Sequence, residues 1–256
     1  MTSYRTFWVV CGLYFLTLGF STASGMEVLK WVARTFEDFG SSLNINRFPL
    51  YHFPDVWLNL IWCSGLLKVV LAIMVVISIT NEFTYRTVRQ NIIDGLSRSQ
   101  FLLSKILTNV LLSLMSVVMI FVIGLVTGLI YSPVTDFDVI VTDLEFFPAY
   151  FLEIFFFLSY ALMLGILIQR SGLTIIVLLL SQMIEAIITS NIDELVPWMI
   201  PFFPMRSIWN LISWPFPRYA LQEIQDYVAW SSAAIVTGWI FLFNYFSYLK
   251  LKKADL

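Results

Sequence analysis

Residues 146–168 read FFPAYFLEIFFFLSYALMLGILI and hold a single charged residue, Glu153. About 20 mostly apolar residues suffice for a helix to cross a bilayer core. Five further runs qualify by the same length criterion: roughly 7–23, 55–79, 101–131, 172–190 and 227–249. The chain has 256 residues, 59% of them hydrophobic and 12% charged. A soluble domain of that length needs far more polar surface than this to cover its core. The sequence therefore predicts an all-α integral membrane protein with six transmembrane helices, built as one domain over 1–256. A formal net charge of -2 gives no basic field for nucleic acid.

In the first run, Arg5 precedes the apolar residues, and Ser21-Thr22-Ala23 resembles a cleavage site. We read the run as a span. The third run is long enough to tilt or to extend past the bilayer. Lysine and arginine set the orientation. With the N-terminus inside, the inner segments hold Arg5, Arg86, Arg89, Arg98, Lys105, Arg170, Lys250, Lys252 and Lys253. The outer segments hold Lys30, Arg34, Arg47, Arg206 and Arg218 over much longer loops. Segment 132–145 carries Asp136, Asp138, Asp143 and Glu145 with no basic residue, as an outer loop would. Both termini are expected inside.

Between the second and third runs lies NEFTYRTVRQNIIDGLSR, residues 81–98. On a helical wheel Tyr85, Val88, Ile92 and Leu96 share one stripe, and Glu82, Arg86, Gln90 and Asp94 share another. That pattern predicts an amphipathic helix on the inner membrane surface, loosened by Gly95 before the next span. Arginines that enforce topology need no acidic companions, yet Glu82 and Asp94 are present. A polar stripe of both signs suits a protein partner better than anionic lipid.

The outer segments carry two patterns. Val28, Trp31, Val32 and Phe36 recur at helical spacing within 26–39, which predicts an interfacial helix. Residues 191–226 place Pro197, Pro201, Pro204, Pro215 and Pro217 among Trp198, Phe202, Phe203, Trp209 and Trp214. Prolines break helices, so short pieces are expected there, dipping into the outer leaflet or packed over the span ends.

Three ionisable residues fall within spans: Lys68, Glu153 and Glu185. Such groups usually face an interior or a cavity. Either they line a substrate path or charge relay, or Lys68 pairs with one of the glutamates and holds spans together. Gly124 and Gly128 form a G-x-x-x-G, read as close packing, with dimerisation as its second use. Cys11 and Cys63 are read as small buried hydrophobes. His52, the single histidine, is read as an interfacial residue and not a ligand, and no metal site is expected.

The order Glu82, Thr87, Arg89, Ser97-Arg98 and Lys105 resembles the permeases of ABC-2-type transporters. The wider layout is similar to theirs too: six spans, both termini inside, a long third span, and a broken extracellular segment before the last. Proline is common in that family where this chain has Gly95. The resemblance implies a permease dimer, of two copies or of one copy with a homologous chain. Two ATPase subunits would dock underneath and bind the ATP and Mg. It further implies that 81–98 is the coupling helix, with Glu82, Arg86, Thr87, Arg89, Gln90, Asp94 and Arg98 at the ATPase contact. The membrane would be the inner, cytoplasmic one. The sequence has no G-x-x-x-x-G-K-[ST] and no G-x-G-x-x-G, so no nucleotide site or cofactor of its own is expected. An intramembrane enzyme is disfavoured by the lack of H-E-x-x-H and G-x-S-x-G motifs. Residues Pro197, Trp198, Pro201, Phe202, Phe203 and Pro204 are read as an outer gate, and their apolar character suits export of an amphiphile. A second reading is an energised scaffold subunit of a cell-envelope or gliding-motility machine, which shares the coupling helix.

Overall fold

In the computed structural model the described residues are 9, 11–22, 24–25, 51–193, 195–215 and 227–253. The interfacial helix expected at 26–39, Arg5 and Pro217 lie outside them. The described residues are helical with no strand. In order they form α1 (Cys11–Thr22), α2 (Val56–Gly65), α3 (Lys68–Thr84), α4 (Thr87–Ile93), α5 (Arg98–Tyr131), α6 (Phe137–Val141), α7 (Phe146–Ile168) and α8 (Ser171–Ile192). A 3₁₀ helix (Pro197–Phe202), α9 (Pro204–Trp209) and α10 (Trp230–Lys253) follow.

Helices satisfy every backbone group internally, which is why apolar runs in lipid take this form. Five are long and apolar enough to cross a membrane: α2 with α3, α5, α6 with α7, α8 and α10. The described part of the first run, α1, is a shorter apolar helix. The chain is thus a multi-pass membrane protein. The expected edges of the fourth run coincide with α7. The second differs most: it runs on to Thr84, and it breaks at Leu66-Leu67. There Leu67 N–H donates to the Ser64 carbonyl and Val70 N–H to that of Leu67, each at 3.0 Å. These tightened bonds are of 3₁₀ type and interrupt the ladder of the helix.

Successive spans alternate in direction. Glu82 at the end of α3 meets Lys105 near the start of α5, and Arg98 reaches the end of α10. At the opposite end Phe53 N–H donates to Ser132 Oγ (3.3 Å), and Val228 N–H donates to Glu145 (3.1 Å). We call the first the basic end, since Arg86, Arg89, Arg98, Lys105, Lys250, Lys252 and Lys253 gather there.

Helix α7 is the hub and packs against α2, α3, α5, α8 and α10. In its apolar window 61% is buried, against 17% for α8. Lipid tails are as apolar as leucine, so interlocking shape and interhelical hydrogen bonds hold such a bundle. Aromatic rings supply much of the shape. Trp57, fully buried, stacks on Phe121 and meets Phe147 edge-on, while its Nε1 donates to the Ile140 carbonyl at 2.9 Å. Toward the other end Phe243 packs on Phe156, Tyr160 and Trp239. Polar ties join the helices: Tyr14 Oη with Ser116 Oγ at 3.1 Å, Asn109 to the Leu158 carbonyl at 3.3 Å, and Asn244 to Ser159 at 3.4 Å.

The G-x-x-x-G of α5 serves packing by receiving rings. A Cβ on Gly124 would lie 2.6 Å from the Trp57 ring, and one on Gly128 would collide with Phe53. Gly128→Leu is therefore expected to cost about 1–3 kcal/mol through overpacking. Gly238→Leu is the control, because nothing lies within 4 Å of that Cβ position. Thermal unfolding in one detergent should show a fall for the first variant and little change for the second. Cys11 is buried as expected and its Sγ lies 3.4 Å from Met74 Sδ. Cys63 is exposed on the outer face of α2, contrary to expectation. An apolar run does not reveal which of its faces meets lipid.

Candidate functional site

The sequence predicts one amphipathic helix over 81–98; the structure divides it. Asn81 to Thr84 complete α3, and α4 has only seven residues. The break is at Arg86, whose φ of 55° lies in the left-handed region that non-glycine residues rarely enter. Gly95, with φ of 101°, ends α4. Its N–H donates to the Ile92 carbonyl (3.1 Å) and Leu96 N–H donates to that of Asn91 (3.0 Å). This is a Schellman closure, which calls for glycine at that position. Ser97 then opens α5 with a capping box: Gln100 N–H donates to Ser97 Oγ, and Ser97 N–H donates to Gln100 Oε1. The division changes the expected stripes. Val88 is buried and Ile92 half-buried, whereas Tyr85 and Leu96 are exposed.

The residues of the quoted spacing fall into two groups. Glu82 and Lys105 form an ion pair between α3 and α5, with Lys105 buried. Glu82 Oε2 is buried and unpartnered among the described residues. Thr87 Oγ1 donates to the Glu82 carbonyl at 3.1 Å, bridging the turn at Arg86. The Arg98 guanidinium donates to the carbonyls of Leu251 (3.0 Å) and Lys252 (2.5 Å) at the end of α10. That placement also suits the negative end of the α10 dipole. Glu82, Thr87 and Arg98 thus act as anchors within the chain. Arg86, Arg89, Gln90 and Asp94 remain exposed, with Gln90 donating to Asp94 at 3.2 Å. A cavity of about 10 Å³ lies against Lys105 between α3, α5 and α7, lined by Ser78, Thr108 and Asn109. That is room for about one water with polar partners.

The intramembrane charges do not converge on one site. Lys68 begins α3 just after the break, and its Nζ donates to Glu153 Oε1 of α7 at 2.5 Å. The Phe157 ring centroid lies 5.5 Å from the same Nζ. Gly65 gives the carboxylate its place, since a Cβ there would be 3.0 Å from Glu153 Oε1. Tyr150, one turn from Glu153, is fully buried. Sequence inspection missed Tyr150, although a tyrosine one helical turn from a buried glutamate is a visible signal. Glu185 sits elsewhere: its Oε1 accepts the Arg206 N–H at 2.8 Å. It satisfies a free donor in the first turn of α9 and clamps that helix to α8.

The described part of the proline-aromatic segment is a set of short pieces, as expected, although residues 191–192 belong to α8. Pro197 opens the 3₁₀ helix, Pro201 lies inside it, and Pro204 opens α9. Ile200, Met205, Ile208, Leu211 and Ile212 face inward. Trp198, Phe202, Trp209 and Trp214 are exposed, and Phe203 is half-buried. The Trp239 indole donates to the Phe202 carbonyl at 2.9 Å, fixing the segment to α10. Among the described residues no group of three His, Cys, Asp or Glu is placed to hold a metal ion.

Exposed apolar faces on α5, α8 and α10 around the buried hub α7, with the Lys68–Glu153 pair enclosed between helices, are those of a multi-pass membrane protein. The chain belongs to the DUF2705 family, described as a protein of unknown function, whose model matches residues 47–256. The match takes in every element from α2 to α10 and leaves α1 outside. No curated protein and no solved structure matches the chain.

Proposed function

We propose that this chain is the membrane subunit of an ATP-driven exporter of the ABC-2 type, working as a dimer over two ATPase subunits. The observation that supports this reading best is α4. It is a short helix at the basic end, held by the Glu82–Lys105 pair, the Thr87 bridge and the Gly95 closure. It turns Arg86, Arg89, Gln90 and Asp94 outward. A helix so anchored at both ends transmits a push to α3 and α5, which a loose topology loop does not. The positive-inside rule puts this end in the cytoplasm, where ATPase subunits would bind ATP and Mg. The coupling surface is accordingly narrower than the whole of 81–98. Its contacts are Arg86, Arg89, Gln90 and Asp94, with Glu82, Thr87 and Arg98 supporting them from behind. The exposed aromatics of 197–214 act at the outer end as a gate for an amphiphilic cargo. Movement of the spans between two packings carries the cargo across.

Arg86→Glu/Arg89→Glu tests this reading. Both side chains are exposed, so thermal stability is expected to hold. Substrate-stimulated ATPase activity of the complex is expected to drop at least about tenfold, as for reversed charges at an interface. Unchanged stimulation in the double variant would count against the docking surface.

A further inference from the structure

At the basic end, the last two turns of α10 and the end of α7 enclose an open groove of about 520 Å³. Met163 and Leu167 line it from α7, and Phe246, Leu249, Lys250 and Lys253 from α10. These residues are one stripe on each helix, Met163 and Leu167 at i, i+4, and Phe246, Leu249, Lys250 and Lys253 at i, i+3, i+4 and i+7. No carboxylate of the described residues lines the groove or pairs with either lysine. The wall turns from apolar at Phe246 to cationic at Lys253 over roughly 10 Å of helix rise. That is the profile of a phospholipid from its acyl chains to its headgroup.

We propose that this groove is a binding site for one anionic phospholipid of the leaflet at the basic end. Acyl chains lie on Met163, Leu167, Phe246 and Leu249, and the phosphate sits between the ammonium groups of Lys250 and Lys253. Basic pockets between spans recognise anionic headgroups in this manner. A soluble anion has no use for the apolar wall. A second copy of the chain docked here about a two-fold axis would set these lysines against their own kind. The site is independent of the transporter reading, because it needs only that the helices span a bilayer.

The test is native mass spectrometry on the full chain in detergent, with added phosphatidylglycerol or phosphatidylcholine as probe. Wild type is expected to retain phosphatidylglycerol preferentially. Lys250→Gln/Lys253→Gln is expected to weaken that retention about thirty-fold, the combined effect of two basic residues. Lys252→Gln removes the same kind of charge outside the groove and is expected to change little. Leu167→Trp keeps both lysines and fills the apolar wall, and it is expected to weaken retention as well. Equal loss in Lys252→Gln would reduce the effect to diffuse surface charge and overturn the site. Displacement of the lipid by inorganic phosphate would make it an anion site without a lipid. A dimer that excludes phosphatidylglycerol, and that the groove variants break, would assign the surface to a second copy.

Discussion

Lys68→Ala is expected to lower the stability of the bundle by about 3–5 kcal/mol, because it strands a buried carboxylate. For a domain of this size the unfolding midpoint should fall on the order of ten degrees. Lys68 and Glu153 meet at 2.5 Å, and both side chains are largely buried between α3 and α7. The pair sits at the Leu66-Leu67 break, and Gly65 leaves the carboxylate its space. Neither charge has another ionic partner among the described residues. The sequence left two uses open, a transport path or a structural tie. The geometry favours the tie, since the two groups neutralise each other in a packed helix contact. The tie makes a second demand. Lys68→Met with Glu153→Leu together should recover most of the loss, because an apolar pair of similar volume leaves no orphan charge. Thermal unfolding of the three variants in one detergent measures both expectations. If Lys68→Ala keeps its melting temperature and abolishes transport, the path reading stands instead.

Lys105→Ala is expected to cost a similar amount, about 3–5 kcal/mol, and to affect the basic end selectively. The buried Lys105 ammonium is the partner of Glu82, whose second oxygen already lacks one among the described residues. Its removal leaves both carboxylate oxygens without a cation at the point where α3 gives way to α4. Local stability differs across a structure, so the damage should appear first in the segment that this pair holds. Hydrogen exchange is expected to quicken in residues 82–98 while α7 keeps its protection. Glu82→Gln with Lys105→Met should restore the slow exchange. Uniform loss of protection along all spans would show that the pair supports the whole bundle and not the α4 anchor. If the transporter reading is right, Lys105→Ala also loses ATPase stimulation with Arg86 and Arg89 intact. The two effects are separable, because the exposed charge reversals leave exchange unchanged.

Much of the architecture was legible because it depends on local properties. A run of about 20 apolar residues is a span whatever surrounds it. Proline at 197, 201 and 204 breaks helices wherever it stands. Charge at the segment ends is likewise a local count. The chain alone therefore determined the membrane class, the edges of α7, the broken segment and the presence of a polar element between α3 and α5. It also marked Lys68, Glu153 and Glu185 as costly intramembrane residues needing an explanation.

The pairings were settled only by the tertiary structure. Lys68 is equally free in sequence to choose Glu153 or Glu185, and helix packing puts Glu153 beside it while Glu185 caps α9. Glu82 and Arg86 share a stripe on an ideal wheel. The left-handed turn at Arg86 ends that helix, sends Glu82 inward to Lys105 and leaves Arg86 outside. Cys63 sits in a run as apolar as that of Cys11 yet faces outward. Gly124 and Gly128 look like a helix-dimer motif, and the structure fills them with Trp57 and Phe53. The physical reason is the same in each case. Hydrophobicity and backbone chemistry act over a few residues, whereas ion pairs, ring contacts and the facing of a helix join residues far apart in the chain.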